Sequence, residues 1–198
     1  MKIAVLIIIA VALALRIYVS LPQKKKKSDT KNGALCAQVM CGGTNALARR
    51  KYNYDGVTDC KTASLLYGGP KLCTYGCVGM GTCAAACPEN AINIIGGVAA
   101  VDRSKCTACG KCISACPKGI IKLVPKKDTY WVGCSSKAGE RETSAFCKMG
   151  CIACGECAST CPLGAISIID NHAVIDNSLC DACGKCAEVC PKSTVWKS

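Results

Sequence analysis

The stretch Cys106–Pro117, CTACGKCISACP, spaces four cysteines as C-x2-C-x2-C-x3-C ahead of a proline, and the same pattern returns at Cys151–Pro162 and Cys180–Pro191. Three thiolates on so tight a loop can grip three irons of one cubane, while the fourth points away to a second cluster. The proline turns the chain out of the site and removes a backbone donor. Small residues between the ligands (Ala108, Gly110, Ala153, Gly155, Ala182, Gly184) let backbone amides approach the sulfurs. A zinc ribbon needs only two C-x2-C pairs, and a disulfide framework has no use for three copies of this spacing. The motif therefore reads as [4Fe–4S] ligation.

Working outward, a shift of 74 positions lays nine cysteines on cysteines without a gap, from Cys60 on Cys134 to Cys116 on Cys190. Pro88 falls on Pro162, Asp102 on Asp176 and Pro117 on Pro191, so two copies of one module are present. In each copy the cysteine groups flank a hairpin pattern: AINIIGGVAAVD turns at Gly96–Gly97, and AISIIDNHAVID at Asp170–Asn171. The segments between ligands read as short helices ended by proline. The expected fold class is α+β: two tandem bacterial-type 2[4Fe–4S] ferredoxin-like modules after an N-terminal transmembrane helix. The expected divisions are a membrane anchor at 1–21, a basic and polar linker at 22–35 and a cysteine-containing lead-in at 36–72. The first module follows at 73–124, a connecting segment at 125–146 and the second module at 147–198.

One motif departs from the pattern. CTYGCVGMGTCAAACP carries Met80 where the second copy has Cys154, so that site lacks a ligand. Cys73 is the nearest substitute, and the Met80 thioether the other candidate. With crossed fourth ligands, Cys73, Cys77, Cys83 and Cys116 are expected to hold one cluster, and Cys106, Cys109, Cys112 and Cys87 the next. In the second module Cys151, Cys154, Cys157 and Cys190 hold one, and Cys180, Cys183, Cys186 and Cys161 the other. Cys41, Cys60, Cys134 and Cys147 form a candidate fifth set, with Cys60 and Cys134 in one role across the repeat; buried or free thiols are the alternative. At least four clusters are expected, and five if that set is filled.

Composition agrees with metal centres as the organising element. The chain has 21 cysteines in 198 residues and only 5% aromatic residues, too few for an ordinary aromatic-rich core. Its formal charge of +12 would suggest an anionic partner. Four clusters at about −2 each bring it down to roughly +4, which argues against a nucleic-acid partner. The single histidine, His172, excludes nucleophilic hydrolysis by an activated serine in practice. No glycine-rich segment has the strand–turn–helix setting of a nucleotide loop.

The first residues run MKIAVLIIIAVALALRIYVSLPQKKKK. Residues 3–21 suffice for one span if Arg16 snorkels to the interface. Lys2 and the apolar run also suit a cleaved signal peptide. Lys24–Lys27 resists translocation, which favours an uncleaved single-pass anchor in the cell membrane with the cysteine-rich part on the cytoplasmic side. The lysine block also suits anionic membrane lipid.

From Cys41 onward, through YDGVTDC (Tyr54–Cys60), ASLLYGGPKLCTYGC (Ala63–Cys77), Gly79–Pro88 and the second module, the chain resembles the B subunit of the Rnf ion-translocating ferredoxin:NAD oxidoreductase complex, in its long form with two ferredoxin modules. The resemblance implies an electron-transfer subunit of a translocase, passing electrons from soluble reduced ferredoxin toward other membrane and peripheral subunits, with no substrate-converting site of its own beyond the clusters. Family members usually place a further CGxCGYPGC-like cluster domain between anchor and modules. Gln23–Leu35 carries no counterpart, which leaves a shortened variant or a paralogue as the expectation.

Two other classes compete with the relay: a free-standing iron–sulfur oxidoreductase using an open position at the irregular cluster near Met80, and a protein whose metals only staple the fold. The anchor reading is tested directly. Deleting residues 3–21 is expected to release a soluble protein with its clusters intact, read by fractionation and electron paramagnetic resonance (EPR). A mature protein beginning beyond Ser20 would establish the signal peptide instead.

Overall fold

A two-residue hairpin whose turn follows the right-handed strand twist needs positive φ at both central residues. Gly96 and Gly97 supply φ of 56° and 76°, and Asp170 and Asn171 supply 47° and 59°. The first turn joins β2 (Ile92–Ile95) to β3 (Val98–Val101), and the second joins β6 (Ile166–Ile169) to β7 (His172–Ile175). The registers agree across the repeat, Ile92 opposite Val101 and Ile166 opposite Ile175. The computed structural model describes residues 35–126 and 129–197. The expected anchor and the Lys24–Lys27 block lie outside them. Among the described residues no helix is long and apolar enough to cross a membrane.

A second antiparallel pair closes each module. β1 (Leu35–Val39) pairs with β4 (Ile121–Pro125), and β5 (Tyr130–Val132) with β8 (Val195–Lys197). The lead-in and the connecting segment are thus not mere flanks. Each gives the strand that covers the open edge of the last strand in the module it precedes. The chain has α+β character in both halves, with short helices α1 (Cys60–Leu65), α2 (Thr82–Ala85), α3 (Lys111–Ala115), α4 (Glu140–Phe146), α5 (Glu156–Thr160) and α6 (Lys185–Glu188).

These pairings revise the repeat. Val39 faces Ile121 and Val132 faces Val195; the Met40 amide donates to Ile120 O at 2.8 Å and the Gly133 amide to Thr194 O at 2.7 Å. Ile120 and Ile121 occupy the repeat positions of Thr194 and Val195. Val39–Met40–Cys41 is therefore the structural counterpart of Val132–Gly133–Cys134, and Cys60, which the linear shift lays on Cys134, is not.

Ile92, Val98, Ile120 and Ile121 pack around Cys77, Cys83 and Cys112 in the first module; Val132, Ile166 and Val195 pack around Cys157 and Cys186 in the second. Each such aliphatic side chain contributes about 2 kcal/mol by burial. Residues 40–50 run between the modules. The Gly42 amide donates to Gly133 O at 2.8 Å, Arg49 N to Phe146 O at 2.8 Å and Lys148 N to Leu47 O at 2.9 Å, while Asn45 N reaches back to Gly96 O at 2.7 Å. Arg103 stacks 5.7 Å over Trp131, which meets Trp196 edge-on at 6.0 Å.

Gly79 shows how tight the ligand loops are. Its φ is +87°, and a Cβ there would run into the Gly97 carbonyl. Gly119 has φ +62° with nothing within 4 Å. Gly119→Ala is expected to cost only the left-handed penalty of about 1–2 kcal/mol. Gly79→Ala is expected to cost more and to speed cluster loss, as measured by anaerobic thermal unfolding followed at the cluster absorbance.

Candidate iron–sulfur centres

The left-handed glycines of the ligand loops decide where the thiols point. Gly81, Gly110, Gly155 and Gly184, at φ of 84°, 77°, 83° and 86°, start α2, α3, α5 and α6. Each helix carries one buried cysteine inward: Cys83, Cys112, Cys157 and Cys186.

Four cavities are each lined by four thiols. Cys87, Cys106, Cys109 and Cys112 share one, and Cys151, Cys154, Cys157 and Cys190 another, as the spacing predicts. At the remaining motif Cys180 and Cys183 act on Cys186, with Cys161 packed against the same core.

The irregular site differs from the expected set. Its cavity is lined by Cys60, Cys77, Cys83 and Cys116, with Cys60 in the place expected for Cys73. Cys73 lines a separate cavity with Cys41, Cys134 and Cys147, where Cys60 was expected. The exchange has a local cause. Asp59 caps α1, its Oδ2 accepting from Thr62 N at 2.7 Å and its Oδ1 from Thr82 Oγ1 at 2.9 Å. Cys60 N donates to Thr82 Oγ1 at 2.7 Å, which ties α1 to the start of α2 beside Cys83. These hydrogen bonds hold the Asp59 carboxyl below its usual pKa, the Thr62 amide contributing most. Met80 packs with Tyr54 against Cys60, Ala63 and Val78 and does not line the cavity. The sequence signal for Cys60 is the D-C-x-T start of a capped helix, which cysteine spacing alone does not weigh.

The thiols are electrostatically linked within these sets. Burial, then the neighbouring Cys77, Cys60 and Cys116, pushes Cys83 up to about 12. Burial, then Cys151, Cys190 and Cys154, pushes Cys157 up to about 11. Such thiols hold their protons at neutral pH until a metal displaces them. Backbone amides stand ready for the thiolates: Ala37 N to Cys106 Sγ at 3.3 Å, and Ala91 N to Cys87, Ala173 N to Cys151 and Thr194 N to Cys190, each at 3.4 Å. Cys36, fully buried on β1, lines none of the four cavities and packs as a small hydrophobe. The donors are thiols alone, all described cysteines are free, and sixteen of them stand in fours around shared cavities, which fits a cubane better than a single ion.

The fold and these centres define a tandem ferredoxin-like iron–sulfur protein with several [4Fe–4S] clusters. The chain belongs to the 4Fe-4S dicluster domain family, which matches at residues 72–120, 105–165 and 150–194. Among curated proteins it is 45% identical over 145 residues to the B subunit of the proton-translocating ferredoxin:NAD(+) oxidoreductase complex of Clostridium ljungdahlii, covering 73% of this chain and 51% of that protein. It is 42% identical over 100 residues to the Na(+)-translocating counterpart of Acetobacterium woodii, covering 50% and 30%. It is 40% identical over 113 residues to the B subunit of the ion-translocating oxidoreductase complex of Methanosarcina acetivorans, covering 57% and 43%. The chain thus spans about half the length of these relatives or less. The resemblance read from the sequence and these similarities agree.

If Cys60 supplies the missing ligand, Cys60→Ala is expected to lower iron by about 4 per chain. Adding Met80→Cys to that variant restores the regular motif and is expected to recover the iron, measured by anaerobic iron and sulfide assay with EPR.

Proposed function

We propose that this chain is the iron–sulfur electron-transfer subunit of a membrane-bound complex that couples electron transfer from reduced ferredoxin to NAD+ with ion translocation. The observation that carries the reading is the 45% identity to a B subunit of that description, across a chain built on repeated dicluster modules. The proposed ligand sets are Cys60, Cys77, Cys83 and Cys116; Cys87, Cys106, Cys109 and Cys112; Cys151, Cys154, Cys157 and Cys190; and Cys161, Cys180, Cys183 and Cys186. The partners are the other subunits of the complex, soluble ferredoxin as donor, and lipid at Lys24–Lys27. The chain is anchored once in the cell membrane, with its cysteine-rich part facing the cytoplasm.

When bound, the clusters supply one-electron chemistry at low potential. The residues of this chain do the rest. Amides of Ala37, Ala91, Ala173 and Thr194 donate to ligand sulfurs and so favour the added negative charge of the reduced state. Crossing of the fourth ligands brings the two sites of a module together, because Cys83 and Cys87 share one helix and loop but serve different cavities. Exposure divides the sites. Cys109, Cys154 and Cys183 are exposed and give electrons a way in or out, whereas Cys60 stands buried in the role that Cys154 fills in the second module. Four thiols around that cavity favour the relay over an oxidoreductase with an open ligand position.

Purification from anaerobically solubilised membranes tests the proposal. The tagged chain is expected to bring other membrane subunits with it, and its deletion to abolish ferredoxin-driven NAD reduction in membranes. Unchanged reduction in the deletion strain would overturn the reading.

A further inference from the structure

We propose a fifth [4Fe–4S] site between the two modules, held by Cys41, Cys73, Cys134 and Cys147, that joins their clusters into one path. The inference rests on the electron-transfer reading for its purpose but not for its geometry. The four thiols line one cavity together with Lys71, Gly43, Gly76 and Ser136. They form two pairs across the repeat. Cys73 and Cys147 correspond by the shift of 74 residues, and Cys41 and Cys134 by the matched strand register. Each module thus gives the same two ligands to a site shared by both.

The walls of the cavity are shaped around sulfur. A Cβ on Gly76 would stand 3.3 Å from Cys41 Sγ and 3.6 Å from Cys73 Sγ; one on Gly43 would stand 3.4 Å from Cys147 Sγ and 3.7 Å from Cys41 Sγ. A Cβ at Gly76 would be tight against Cys41 Sγ, and one at Gly43 would sit in van der Waals contact with two of the sulfurs.

A second observation is independent of the thiols. Lys71, only 4% exposed, lines the same cavity, and its Nζ donates to Gly43 O at 2.7 Å and Gly97 O at 2.8 Å. The two ion pairs among the described residues, Lys105–Asp102 and Lys137–Asp170, lie elsewhere. A buried ammonium held only by carbonyls lacks the counter-charge that buried ions require. A thiolate-bound cubane of about −2 supplies it.

There are connections to either side. On one side the Cys77 amide donates to Cys41 Sγ at 3.3 Å; on the other Cys134 lies beside Cys151 and its sulfur accepts from the Ser136 amide at 3.4 Å. Cys77 and Cys151 are themselves ligands proposed for one cluster in each module, so the shared site is one hydrogen bond from the first module's cluster and adjoins a ligand of the second's. One electron enters for each that leaves, and no proton or group need cross.

Anaerobic iron and sulfide analysis of the full chain, with metal identification, tests this. Wild type is expected to carry about 20 iron per chain, and Cys134→Ala about 16 with the other clusters' EPR signals retained. Lys71→Met is expected to keep about 20 iron and to shift one cluster to a lower midpoint potential. A wild-type count of about 16, or one equivalent of zinc, overturns the site even if Cys134→Ala fails to fold. The two proposals fail differently: about 16 iron with ferredoxin-driven NAD reduction intact removes only the fifth site, whereas about 20 iron without that reduction removes only the proposed function.

Discussion

Coordination of iron by buried thiolates takes the place that close-packed aliphatic and aromatic side chains hold in most domains. The chain has one phenylalanine and two tryptophans. Its buried positions include Cys36, Cys41, Cys60, Cys77, Cys83, Cys112, Cys147, Cys157 and Cys186. Strands of three to five residues and helices of four to seven could not hold together by their own hydrogen bonds. The secondary structure serves to aim sulfur. Left-handed glycines start the four ligand-bearing helices α2, α3, α5 and α6, prolines end the ligand runs, and two-residue turns bring the hairpins back over the cavities. The elevated thiol pKa values follow from the same burial, and metal binding exchanges protons for iron where a core would otherwise have to tolerate empty space.

Much of this was legible in the cysteines. The C-x2-C-x2-C-x3-C-P runs foretell which thiols share a cavity at Cys106–Cys112 and Cys151–Cys157 because three sulfurs on one loop leave little conformational choice, and Gly96–Gly97 and Asp170–Asn171 name their turns because φ must be positive there. Ligands far from a motif were not legible. The shift of 74 residues laid Cys60 on Cys134 by chain distance, whereas strand pairing lays Cys41 on it. The chain between Cys41 and Cys73 is longer than that between Cys134 and Cys147, and the extra length carries the helix that starts at Cys60. The three-residue match of Val39–Cys41 to Val132–Cys134 is too short to notice without the register of the partner strands. Cys73 and Cys60 therefore line the cavities expected for each other.

That exchange alters how the two modules relate. A first module completed by Cys73 would close on itself, leaving the second as a separate unit. In the proposed partition Cys60 completes it, and Cys73 lines the space between the modules with Cys41, Cys134 and Cys147. The segment at 40–50, clamped to Gly96 on one side and to Gly133, Phe146 and Lys148 on the other, fixes the two halves against each other at that point. Electron transfer depends steeply on separation, so a rigid seam lined by thiols is the physical feature that would turn two carriers into one conduit. The sheltered Cys60 site and the seam lie inside, and the exposed Cys109, Cys154 and Cys183 lie where partners can reach.

The central claim is the partition of cysteines among iron sites, and diffraction from anaerobically grown crystals at the iron absorption edge tests it most directly. The account predicts anomalous density inside the Cys60–Cys77–Cys83–Cys116 cavity and separate density between Cys41, Cys73, Cys134 and Cys147. Density that joins Cys73 to Cys77, Cys83 and Cys116, with Cys60 remote from iron, would contradict it.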